Sequence, residues 1–91
     1  MLQVPVVFRQ GNVVVRIYPP PREHHPPHVH VCFVGIGEVV IELGTAVAGL
    51  RIHRDYGVPA RMVLAAYHIV ADHQELFQHE WEKLHGTPPT D

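Results

Sequence analysis

HVHVCFVGIGEVVIEL, the run from His28 to Leu43, decides the fold. Two segments rich in β-branched and aromatic residues flank a glycine-bounded centre, which is the pattern of a β-hairpin. With Gly35-Ile36-Gly37 as a three-residue loop, His30 faces Glu42, Cys32 faces Val40 and Val31 faces Ile41. A two-residue loop would instead set Glu42 beside Val29 and Glu38 beside Phe33. A one-residue slip carries every side chain of a strand to the other face, and the first register keeps like with like. Val29, Val31, Phe33, Val39, Ile41 and Leu43 then share an apolar face, while His28, His30, Cys32, Glu38 and Glu42 share the other.

Upstream, VPVVF (Val4–Phe8) and VVVRIY (Val13–Tyr18) read as two more strands, joined through Gly11-Asn12, which suits a turn needing positive φ. Pairing Gln10 with Val13 places Phe8 opposite Val15 and Val6 opposite Ile17 on an apolar face. Val7, Arg9, Val14, Arg16 and Tyr18 take the other face. Pro19–Pro27 holds five prolines in nine residues. Proline fixes φ and lacks an N–H, so this segment is a stiff loop that delivers the chain into the strand at His28.

Downstream the period becomes helical. PARMVLAAYHIVA is apolar almost all round, which predicts a deeply buried helix with Pro59 in its first turn and His68 as a satisfied core histidine. Asp72 with Glu75 reads as a capping box that breaks this helix and starts a second. In the second, Leu76, Phe77, Trp81 and Leu84 form the buried stripe, and Gln74, Gln78, Glu82 and Lys83 face water. Trp81 with Phe77 reads as core rather than as a ligand platform. Residues 44–57 read as a loop with room for a short fifth strand, Arg51, Arg54 and Asp55 being solvated. The expected fold is α+β: an antiparallel sheet of four strands, five at most, followed by two C-terminal helices packed on its apolar face. One domain spans residues 1–91, with its core over about 4–86 and a frayed tail at 87–91.

Composition narrows the function classes. The chain is 46% hydrophobic and 18% charged, enough for a core and unlike a disordered segment. Seven Lys and Arg against nine Asp and Glu give −2 with neutral histidines and +7 with all nine histidines charged. That is no strongly basic surface of the kind that binds nucleic acid by charge alone. No apolar run reaches the ~20 residues of a membrane span, and MLQVPVVFRQ lacks a signal peptide's basic-then-apolar order. The single Cys32 cannot form an internal disulfide, so a cytoplasmic protein without a membrane partner is expected.

The candidate site lies in EHHPPHVH, where His24, His25, His28 and His30 fall together. On a strand i and i+2 share a face, so His28 and His30 sit about 6–7 Å apart at Cα. Three readings follow. Neutral imidazoles of His28 and His30 could bind Zn or Fe, with Glu42 or His24 as a third ligand. Alternatively one ring is a general base and another a general acid, the pair that breaks an RNA phosphodiester without metal. Arg9, Arg16 and Tyr18 would then hold phosphate, provided the second and third strands are neighbours. In the third reading the rings only bond backbone groups of the proline loop. Cys32 on this face is a small filler rather than a ligand.

Glu23-His24-His25-Pro26-Pro27-His28-Val29-His30-Val31 resembles the signature E/D-H-x-P-P-H-x-H-V of an uncharacterised bacterial family, domain of unknown function 4160. His24, Pro26, Pro27, His28 and His30 match, and His25 takes the variable position. The resemblance spans roughly residues 4–86, with a Glu75-Leu76 then Trp81 ending that is also similar. The sequence departs in the PPPR before the motif and in a longer, Arg-containing 44–57 segment. The resemblance implies a small cytoplasmic protein whose gene lies beside that of a small cognate partner, as in toxin–antitoxin pairs. The functional expectation is therefore a component of such a module, with His28, His30 and His24 doing acid–base work on RNA. The alternative is a non-catalytic metal-binding or protein-interaction module using His28, His30 and Glu42. A homodimer is compatible with a core this small.

Overall fold

The computed structural model describes residues 5–20, 26–44 and 49–86. Five strands run β1 Val6–Gln10, β2 Val13–Arg16, β3 His28–Phe33, β4 Gly37–Glu42 and β5 Arg51–Tyr56, followed by helices α1 Ala60–Asp72 and α2 Gln74–His85. The strands form one antiparallel sheet in the order β1-β2-β3-β4-β5, so each pairs with its chain neighbour. The α+β expectation holds, and the fifth strand is present as a full six-residue edge strand.

The first hairpin turns at Gly11, whose φ is 58°, and pairs Gln10 with Val13, Arg9 with Val14 and Phe8 with Val15 as the sequence predicts. Beyond Phe8 a bulge intervenes: Val6 pairs with Arg16 instead of Ile17. An extra residue in one strand reverses the alternation beyond it. Val6 thus lies with Arg16 on the outer face, 36% exposed, and Val7 packs on the core in its place. Ile17 completes its pairing by donating its N–H to the Pro5 carbonyl.

The second hairpin corrects the predicted register by two residues. Its loop is Val34-Gly35-Ile36, and the pairs are His28 with Glu42, His30 with Val40 and Cys32 with Glu38. His30 and Glu42 are therefore diagonal neighbours, not directly opposed. Gly35 occupies the third position of a turn closed by Ile36 N–H to Phe33 C=O, where its φ of 80° is what a type II turn demands. Gly37 is a strand residue instead. A Cβ there would overlap the Tyr56 carbonyl oxygen, so its lack of a side chain lets β5 approach. Because the shift is even, both faces keep their predicted members.

The inner face supplies Val13, Val15, Ile17, Val29, Val31, Phe33, Val39, Ile41 and Leu43 to a single cluster completed by Val58, Ala66, Val70, Phe77 and Trp81. α1 is not deeply buried. Only Ala66 and Val70 are fully covered, Leu64 is 58% exposed and His68 is exposed rather than a core residue. A helix against one side of a single sheet has one face to bury, whatever its composition. In α2, Phe77 and Trp81 are buried and Leu84 packs on the cluster, but Leu76 stays 40% exposed. Gln74 reaches back to donate to the Leu43 carbonyl rather than facing water. The helices break at His73, not through an Asp72–Glu75 box: no side chain caps α2. His73 instead donates Nδ1–H to the Ile69 carbonyl and packs its ring on Phe8 and Phe77.

Candidate functional site

The helices pack on the inner face, α2 reaching an outer-face side chain where Trp81 meets His28, and the pairing sets the outer side chains in rows across the strands. One row runs Arg9, Val14, Cys32, Glu38, Tyr56; the next runs Arg16, His30, Val40, Arg54; a third holds His28, Glu42 and Arg51. Val14 and Val40 are buried on this polar face, at 4% and 5% exposure. Arg54 and His30 are the cross-strand partners of Val40, and Cys32 and Arg9 those of Val14.

His30 is the best-held ionisable group. Its Nδ1 lies 2.7 Å from a Glu38 carboxylate oxygen, and the side chain is only 13% exposed. A carboxylate oxygen accepts, so Nδ1 carries a proton and Nε2 is the basic nitrogen of the neutral ring. Tyr18 meets the same ring edge-on at 4.6 Å, and Arg16 is its direct cross-strand partner. His28 stands 5.6 Å from His30 between ring centroids. Its Nδ1–H donates to the Pro26 carbonyl at 2.8 Å, and its ring packs 5.0 Å from that of Trp81. Trp81 in turn stacks on His85 at 3.7 Å, and His85 Nε2 donates to the Tyr18 carbonyl. Trp81 thus belongs to the core, as expected, and also backs the site.

On the other side of β4 the edge strand contributes a second pair. β5 carries a bulge between its Val40 and Ile41 partners, and His53 is the additional residue. Its Nδ1 lies 3.4 Å from Glu42 Oε1, with the ring 53% exposed. Arg54 donates to the Tyr56 hydroxyl at 3.2 Å. Pro26, His28, His30, Val40, Glu42, His53, Arg54 and Tyr56 line one groove of about 430 Å³. Cys32 lies at the margin of this chemistry. Burial, then the Glu38 charge, pushes its thiol up from the usual value, with Arg16 pulling the other way. That is the opposite of nucleophile activation and fits the filler reading.

The sequence-predicted residues fare unequally. His28, His30, Arg16 and Tyr18 are brought together, since β2 and β3 are neighbours. Arg9 is opposite Val14 at the β1 edge, away from the histidines. Glu42 shares their face but meets His53, and the carboxylate on His30 is Glu38. His24 lies outside the described residues. Among the described residues no three His, Cys, Asp or Glu side chains converge as metal ligands, so His28, His30 and Glu42 do not form a coordination triad. The sequence takes Arg54 for a solvated loop residue and gives His53 and Tyr56 no place in the site. A bulge has no periodic signature, and RIHRDY alternates too little to declare its faces.

Charge also segregates between the two layers. Arg9, Arg16, Arg51 and Arg54, four of the seven Arg and Lys, lie on the outer face against Glu38 and Glu42. The two helices carry Asp72, Glu75, Glu80 and Glu82 against Arg61 and Lys83. A net charge of −2 therefore hides a face rich in arginine and histidine.

A family model described as Domain of unknown function (DUF4160) matches residues 12–82, which include every residue of the groove. The chain belongs to that family. No curated protein and no solved structure matches it. No helix among the described residues is long and apolar enough to cross a membrane.

Proposed function

We propose that this member of the DUF4160 family cleaves RNA by metal-independent acid–base chemistry on the outer face of its sheet. In this reading it acts in the cytoplasm as one component of a two-gene, toxin–antitoxin-like module with a small cognate partner. The observation that carries the chemistry is the Glu38–His30 pair set beside Arg16. A carboxylate on Nδ1 orients the ring and stabilises the imidazolium formed when Nε2 takes a proton, which is what a general base requires. Arg16 supplies paired donors for a phosphate, and Tyr18 steadies the base by its edge contact. The proton donor is a second imidazole of the same face. The arginine-rich face favours a polyanion even though the whole chain is slightly acidic.

The test is cleavage of a single-stranded oligoribonucleotide in EDTA by protein purified without a histidine tag. Cleavage is expected, with product ends of 2′,3′-cyclic phosphate and 5′-hydroxyl. His30→Ala should lose about 100-fold or more, in line with the worth of a general base. Glu38→Gln keeps an acceptor for Nδ1 but removes the charge, and should lose on the order of 10-fold to 100-fold. Growth inhibition on expression should vanish in a His30→Ala variant that folds. No cleavage by the intact protein, or unchanged growth inhibition in that variant, would sink the reading. Three imidazoles and Glu42 line one groove without converging as a ligand set, and one retained equivalent of zinc or iron would transfer the site to the metal-binding alternative.

A further inference from the structure

β4 holds two carboxylates on the outer face, and each takes an imidazole from a different neighbouring strand: Glu38 from β3 and Glu42 from β5. The reading above uses only the first pair. The second lines the same groove, because the β5 bulge brings His53 to Glu42. Arg54 follows it directly and is cross-strand to Val40, whose partner on the other side is His30. Two strand spacings of ~4.8 Å set the His30 and Arg54 backbones about 10 Å apart. That span, with side chains reaching inward from both sides, accommodates one phosphodiester over the Val40 floor. Arg54 is steadied there by Tyr56. His28, by contrast, gives its Nδ1–H to the Pro26 carbonyl and lies against Trp81, contacts that fit a wall of the groove.

We propose that His53, held by Glu42, is the general acid of the cleavage reaction, and that Arg54 binds the scissile phosphate. This rests on the reading of the outer face as an RNA-cleaving surface. His30 Nε2 removes the proton of the ribose 2′-hydroxyl, and the 2′-oxygen forms a bond to phosphorus. The bond from phosphorus to the 5′-oxygen breaks, and that oxygen takes the proton of the His53 imidazolium. A 2′,3′-cyclic phosphate and a 5′-hydroxyl leave, with His30 charged and His53 neutral, and solvent restores both. Arg54 neutralises the charge that builds on the non-bridging oxygens. When protonated, His53 is an ion-pair partner of Glu42, which keeps its ring aimed while it donates.

A leaving group that needs no proton separates the roles. The intact protein, His30→Ala and His53→Ala are assayed on an oligoribonucleotide and on a nucleoside 3′-(4-nitrophenyl phosphate), with folding checked by circular dichroism. His53→Ala should lose about 100-fold or more on RNA yet stay within a few-fold on the aryl ester. His30→Ala should lose both activities. Arg54→Ala should weaken both, lowering kcat as well as raising KM. Active protein whose RNA cleavage is indifferent to His53→Ala, or which loses both substrates equally in that variant, overturns the assignment of the acid. Protein inert on both substrates overturns the RNA-cleaving reading itself.

Discussion

The two imidazole–carboxylate pairs on β4 make an instructive contrast. His30–Glu38 is short, at 2.7 Å, and its histidine is 13% exposed; His53–Glu42 is 3.4 Å and its histidine is 53% exposed. β3 is an inner strand with strict alternation, every second residue buried, whereas all of β5 is exposed. The first pair is thus locked by packing on both sides, and the second hangs on a bulged edge. A fixed ring suits a base that must keep one nitrogen aimed at a hydroxyl. A looser ring suits the proposed acid, which must follow the leaving oxygen as the bond to phosphorus breaks.

The sharpest way to break this contrast is to ask whether the rigidity really differs. Phe33→Ala, at the end of β3, should cost about 3–5 kcal/mol by urea unfolding, because it empties a well-packed inner position. Ile52→Ala on β5, where the side chain is 42% exposed, should cost less than about 1 kcal/mol. Equal losses would mean that β5 is as much a part of the core as β3, and the division of labour between the two rings would lose its footing.

That same contrast governs what the sequence discloses. β3 and β4 alternate, so the faces of His28, His30, Glu38 and Glu42 follow from their parity alone. Parity survives an even register shift, which is why the faces came out right while the partner of His30 did not. Both glycines of Gly35-Ile36-Gly37 look like turn residues, yet Gly37 answers to the backbone of β5, which is distant in the chain. Val6, Val7 and His53 depart from the places that alternation gives them because a bulge is set by pairing, not by the residues' own pattern. α1 was overburied because an apolar composition states what a helix could bury, not how much surface the fold offers it.

Gly37→Ala tests whether the two pairs can be uncoupled. The added methyl would overlap the Tyr56 carbonyl, so β5 must move away from β4. The expected cost is about 1–3 kcal/mol, the range of overpacking in a tight site. Hydrogen exchange should show lost protection between β4 and β5 with the β3–β4 ladder intact, and RNA cleavage should fall further than cleavage of the aryl ester. Uniform loss of protection across the sheet would show β5 to be integral to one cooperative unit rather than a separable edge.

The smallest effect reads the tighter pair without any reference to activity. Burial and the Glu38 charge both hold the Cys32 thiol above its usual pKa, so at pH 8 it carries less thiolate than an unstructured cysteine does. Alkylation by iodoacetamide should therefore be slower in the native protein than in the urea-unfolded chain, and the deficit should shrink as pH rises. Glu38→Gln removes the like charge and leaves burial in place, so the Cys32 rate at pH 8 should rise a few-fold while remaining below the unfolded value. Glu42→Gln, whose carboxylate answers to His53, should leave the rate unchanged. If the two substitutions acted alike on Cys32, the carboxylates would share one electrostatic environment, and the groove would be a single four-group cluster instead of two pairs with separate tasks.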